Sequence, residues 1–152
     1  MAWDVEYRLL ENIFVEMKSL LNSVSVIIVA GMIVSGCATK DEKARNNIQG
    51  SWQIEFVSEN GQDVTAEYTS TLVNYRITFD NNGGFVERYQ QTAGGDEIVT
   101  PGTWIFTDNS TQLTLTSNGQ NRLYRIDKLD EDELNVTDVG STNNRMIQFV
   151  PS

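Results

Sequence analysis

The side chains best placed to do chemistry are one thiol, at Cys37, and a scatter of carboxylates, because the chain has no histidine. That absence removes the commonest general base and the commonest metal ligand together. Cys-His and Ser-His catalysis go with it. A lone cysteine also forms no internal disulfide. Carboxylates cluster at Asp127, Asp130, Glu131, Asp132 and Glu133, and carboxylate oxygens are the ligands that Ca²⁺ takes. The run lacks the EF-hand order with its central glycine, so a solvated hairpin tip accounts for it better. Asp80-Asn81-Asn82-Gly83 reads as a turn on the same grounds. No phosphate-binding glycine loop, zinc spacing or nucleophile elbow is present. The expectation is a protein that is not an enzyme, with no cofactor and no metal.

Cys37 lies where an apolar run ends and charge begins. From Met17 the chain reads MKSLLNSVSVIIVAGMIVSGC. A start methionine, one lysine, an apolar stretch and small residues before a cleavage point are the parts of a secretory signal peptide. Two other readings compete. The cysteine is a small buried hydrophobe, or Ser19 to Gly36 stays uncleaved as a membrane helix close to the minimum spanning length. The lysine in front, the small pair before the cysteine and the abrupt polarity behind it favour a signal.

The cleavage region, Val34-Ser35-Gly36-Cys37, resembles the lipobox of bacterial lipoproteins. That resemblance implies that Cys37 receives a diacylglycerol and that cleavage between Gly36 and Cys37 makes it the first residue. Two acyl chains would suffice for stable anchoring. It further implies an outer-membrane address, since Ala38 is not the aspartate that retains many lipoproteins at the inner membrane. Lys40-Asp41-Glu42 is similar to a short surface-export signal. Residues 1–16 carry one arginine against four acids, the reverse of a signal's basic start. They are therefore expected to be a mis-called extension, with translation beginning at Met17, although Trp3, Tyr7, Leu10 and Phe14 recur at helical spacing.

The whole chain has 11 basic and 21 acidic residues, a net charge of −10. Such a balance disfavours nucleic acid, whose phosphates need Lys/Arg neutralisation, and electrostatic docking on an anionic membrane. Membrane contact is expected through the lipid alone; any protein partner is unspecified.

Behind a polar tether over 37–49, with at most one helical turn around Glu42 to Asn47, the periodicity becomes two. Trp52, Ile54 and Phe56 alternate with polar residues, as do Tyr75, Ile77 and Phe79. The pattern continues in Phe85/Glu87/Tyr89, Trp104/Phe106, Leu113/Leu115, Tyr124/Ile126, Leu134/Val136 and Met146/Gln148. Such alternation predicts half-buried antiparallel strands, here over 50–58, 72–80, 84–91, 98–107, 111–117, 122–129, 133–139 and 144–150. Turn signals at 80–84, 107–111, 116–121 and 130–133 separate them. Pro101 is placed at a strand start. The single wide gap, 58–72, is either a lid-like loop or a further short strand. Eight strands with short connections predict an all-β, up-and-down antiparallel barrel over 50–151, preceded by the signal helix.

Gly50-Ser51-Trp52, YRITFDNNGGF, Gly102-Thr103-Trp104, YRIDKLDEDELNV and the terminal IQFVP, in that order, resemble the lipocalin-like domains of bacterial lipoproteins over about residues 46–151. The resemblance implies that Trp52 packs at the closed end of the barrel, covered by a late arginine: Arg145, with Arg122 and Arg125 as alternatives. It implies that the two Gly-[Ser/Thr]-Trp runs occupy equivalent barrel positions. It also implies a small hydrophobic ligand inside. The aromatic set Trp52, Phe56, Tyr75, Phe79, Phe85, Tyr89, Trp104 and Phe106 then has two readings, a packed core or a partial pocket lining. Function divides in the same way, into a lipid-anchored binding module or an envelope interaction lipoprotein whose barrel is filled.

Overall fold

The computed structural model describes residues 39–152. Cys37, the cleavage position Gly36, the signal segment 17–36 and residues 1–16 lie outside the described residues. Among the described residues no helix is long and apolar enough to cross a membrane.

Among the described residues helix α1 (Lys40–Ile48) comes first, where sequence pattern predicted a polar tether with at most one turn. Its cap explains the difference. The Thr39 hydroxyl accepts the Glu42 N–H at 3.2 Å, Asp41 and Glu42 occupy the first turn and Arg45 the last. Acids at the start and a base at the end both suit the helix dipole. The sole apolar anchor is Ile48, which is fully buried.

Strand β1 (Gly50–Glu59) is followed by the two-residue β2 (Gln62–Asp63), helix α2 (Thr65–Thr71), β3 (Val73–Phe79), β4 (Gly84–Gln90), β5 (Glu97–Thr107), β6 (Gln112–Ser117), β7 (Gln120–Leu129), β8 (Leu134–Asp138) and β9 (Met146–Pro151). Every neighbour in the order β1-β3-β4-β5-β6-β7-β8-β9 is antiparallel, and β9 pairs back onto β1. Eight long strands thus close a barrel with no free edge, while β2 hangs on the end of β1. The predicted barrel is present, with strand bounds shifted by only a few residues. The 58–72 gap holds both a short strand and a helix.

Three details depart from simple alternation. A bulge between Ile54 and Phe56 in the β1–β9 pairing flips the parity of β1. Ile54 and the wholly buried Val57 therefore face inward, and Phe56 is left half-buried outside the core cluster. Pro101 lies inside β5 rather than at its start, opposite Val86. It precedes the first β5–β6 pair, Thr103 with Thr116, so its missing N–H costs no ladder bond on that side. The two Gly-x-Trp runs are not equivalent. Gly50 has φ of 116° at the start of β1, a conformation that favours glycine. At Gly102, on a strand running the other way, a Cβ would collide with the Thr116 carbonyl oxygen and the Phe85 ring.

Strand direction assigns the ends. The β3–β4, β5–β6 and β7–β8 turns lie at the end where β1 begins, together with α1. Trp52, Phe79, Phe85 and Trp104 are buried there, with Phe79 edge-on to Trp104 at 5.9 Å. The opposite end carries α2, the 91–96 loop, the Asn118-Gly119 turn and the 139–145 loop.

Candidate functional site

Between the closed end and α2 the barrel holds a partly open cavity of about 170 Å³. Its wall is built by inward positions of the alternating strands. Ile54, Ile77, Leu115, Val136 and Ile147 supply aliphatic surface, while Tyr68 and Leu72, from α2 and its end, line it too.

One ion pair stands within this apolar wall. Glu87, on β4 between Phe85 and Tyr89, is 5% exposed. Arg122, on β7, grips it with two hydrogen bonds, Nη1 to Oε1 at 2.8 Å and Nη2 to Oε2 at 2.6 Å. The Tyr75 hydroxyl donates to Oε1 at 2.5 Å. A carboxylate held by a bidentate guanidinium and a phenol is a well-satisfied buried charge. The Arg122 guanidinium also lies over the Phe85 ring, 5.9 Å from its centroid. Burial works against the Arg122 charge, but its Glu87 hydrogen bonds and the surrounding groups hold its pKa above the ordinary value. The tyrosines respond in the direction burial dictates. Tyr75 is pushed well up by desolvation, reinforced by the Glu87 charge. Tyr124 is pushed up to about 12 by desolvation, which the Arg122 charge only partly offsets. Burial raises Tyr68 as well.

At the rim, Arg145 donates from Nε to Glu59 Oε1 at 2.8 Å and lies 5.3 Å from the Tyr68 ring centroid. Asn143 Nδ2 donates to Glu59 at 3.1 Å. These bonds tie the 139–145 loop to the end of β1 and hold Tyr68 over the cavity. They also lower the Glu59 pKa, the Arg145 bond most of all.

Of the aromatic residues singled out from sequence, Tyr75, Phe79 and Tyr89 line the cavity. Trp52, Phe85 and Trp104 belong to the closed-end core, with Phe106 packed against it, and Phe56 is turned away by the bulge. None of the three expected arginines covers Trp52. Arg145 sits at the rim, Arg122 inside, and Arg125 pairs on the surface with Asp127 at 2.7 Å. The ring of Trp52 is instead fixed by its own Nε1, which donates to the Ile48 carbonyl at 2.8 Å. The arginine that does stack on a tryptophan is Arg45, 5.6 Å from the Trp104 centroid, and only the unexpected length of α1 brings it there. Glu87 and Arg122 were overlooked as a polar pair, although each shares its strand face with apolar or aromatic neighbours.

The acidic run at 130–133 forms a turn in which Lys128 Nζ meets Asp130 at 3.2 Å and Glu133 at 2.5 Å. Among the described residues no set of acidic side chains is grouped to hold a metal ion. An open depression of about 280 Å³ between α1 and β7 is flanked by Lys40, Lys43 and Lys128, but Lys128 is already neutralised by those acids.

Comparison with known proteins agrees with this architecture. A family model described as a lipocalin-like domain matches residues 48–136. The crystal structure of a lipocalin-like protein from Bacteroides uniformis superposes with a TM-score of 0.55 at 10% identity, covering 70% of this chain and 99% of that one. At such identity the likeness is one of fold. No curated protein matches the sequence.

Proposed function

Because the chain belongs to the lipocalin-like domain family, we propose that its barrel is a binding module for a small, largely apolar molecule, carried on a lipid-anchored protein of the bacterial outer membrane. The observation that carries the binding reading is the barrel cavity with the Glu87–Arg122–Tyr75 cluster set in its wall. Ligand sites combine an apolar lining with a few placed polar groups, and this interior has both. Its size limits the occupant. A cavity of roughly 150 Å³ accommodates benzene, whereas drug-sized ligands occupy about 300 Å³ or more. The occupant is a small ring or a short chain, not a long fatty acid at full length. The function is binding without catalysis.

Anchoring rests on the sequence Val34-Ser35-Gly36-Cys37 and the charge step behind it. The small cavity also supports a second reading, a filled barrel whose outer surface meets another envelope protein. Native mass spectrometry of the purified full chain separates the two. A co-purifying small molecule, or saturable uptake of a benzene-sized probe, is the expected result. A bare protein that takes up nothing, and crosslinks to an envelope protein, would favour the second. Anchoring is checked on the same preparation: a diacylglycerol mass on Cys37 is expected, and its disappearance in Cys37→Ser. An unmodified thiol would refute it.

A further inference from the structure

We infer that the cavity selects uncharged amphiphiles, an apolar body with an alcohol or amide head, and discriminates against carboxylates, because Glu87 already occupies Arg122. This deepens the binding reading and rests on it. Among the described residues that line the cavity, Arg122 and Glu87 are the only ones with charged side chains. An unpartnered arginine in such a place would draw in an anion. Here both terminal nitrogens of its guanidinium already meet the two oxygens of one carboxylate, and the pair is electrically neutral.

An incoming carboxylate would have to displace a partner fixed on β4, across the barrel from β7. Otherwise it would lie beside the charge of Glu87, whose side chain is only 7% exposed, where like charges repel. An incoming ammonium would meet the Arg122 charge in the same way. In both cases the ligand's own charge loses its hydration and gains no counter-charge. A neutral head suffers neither cost. The Tyr68 and Tyr124 side chains share the lining and keep their protons in the folded protein, so neutral hydrogen-bonding groups stand around the ion pair. The excess of acid from Cys37 onward, 17 acidic against 9 basic residues, acts in the same direction on the approach of an anion.

Three water-soluble probes of equal length test this: 1-hexanol, hexanoate and hexylammonium at neutral pH. Each is titrated into the purified full chain, with binding read from NMR shifts of the Ile77, Leu115 and Ile147 methyl groups. Hexanol is expected to bind at least about tenfold more tightly than either ion. In Glu87→Gln the released guanidinium should raise hexanoate affinity relative to hexanol at least about tenfold. The double variant Glu87→Gln/Arg122→Gln should restore the preference for hexanol. Wild-type preference for either ion overturns the inference and leaves the binding reading intact, as does an unchanged order in a folded Glu87→Gln. Methyl shifts with none of the three overturn the inference only if they appear with a different probe class, such as benzene; silence toward every probe overturns both. Should Glu87→Gln fail to fold, the wild-type ratio decides alone.

Discussion

Tyr124 sits where a phenolate would lose most of its hydration and find no free cation, since Arg122 is committed to Glu87. Its folded pKa of about 12 lies above the value of about 10 expected when unfolded. The unfolded chain therefore releases this proton first. Its contribution to stability is complete below pH 10 and is lost as pH rises from about 10 to 12. Tyr75 and Tyr68, raised in the same direction, steepen the fall. The urea midpoint should hold constant from neutral pH to about 9 and then drop, in step with tyrosinate absorbance. In Tyr124→Phe the accompanying loss of unfolding free energy should be smaller by on the order of 2 kcal/mol. A midpoint unaffected up to pH 12 would contradict the buried setting of these rings. Individual roles were partly legible beforehand. The period-two pattern put Phe85, Glu87 and Tyr89 on one face, and Arg122 precedes Tyr124 by two. What hid the pair is that alternation reports which face a residue shares, not which distant strand it meets.

At the scale of elements, the strands were readable because each is short, alternating and bounded by turn chemistry. The Asn118-Gly119 hairpin, with φ of 51° and 75°, is the turn that Asn-Gly predicts. Both helices were obscured. Helix α2, TAEYTST, has four Thr or Ser residues among its seven, types that do not favour a helix interior. Its start is held by tertiary contact instead, Thr65 Oγ1 bonding the Val57 backbone at 2.9 Å. Helix α1 carries one buried apolar residue, too few for a periodicity to show. Phe56 was misassigned because one bulged residue inverts everything after it. The dependence of α1 on Ile48 is testable. Ile48 is fully buried, and its carbonyl receives the Trp52 indole. Ile48→Ala should cost about 3 kcal/mol in urea unfolding and release the Arg45 contact to Trp104, read as a change in tryptophan emission. A loss below about 0.5 kcal/mol would mean that α1 merely lies against the barrel.

On the whole molecule, the proposed lipid anchor would fix the orientation of the barrel. Thr39 caps α1, and α1 belongs to the closed end: the Asp41 side chain accepts a hydrogen bond from Ser110 in the β5–β6 turn, and Asn47 Nδ2 donates to the Leu129 carbonyl at 3.4 Å. If Cys37 is the acylated first residue, as proposed above, Ala38 alone separates it from that cap. Two residues reach about 7 Å at full extension, far too little for the barrel to turn over. Lipidation at Cys37 would then hold the closed end at the headgroups and aim the mouth, with α2 and the 91–96 loop, into the aqueous phase. A neutral ligand would enter from water rather than from the bilayer. Single cysteines report this directly, because an acylated Cys37 has no thiol to react. In the lipidated protein on vesicles, Ala93→Cys at the mouth should react with a bulky hydrophilic maleimide as fast as it does in detergent. Glu131→Cys at the closed end should be slowed several-fold by the vesicle surface and recover in detergent. The reverse pattern would place the mouth against the membrane and make lipid the source of the ligand.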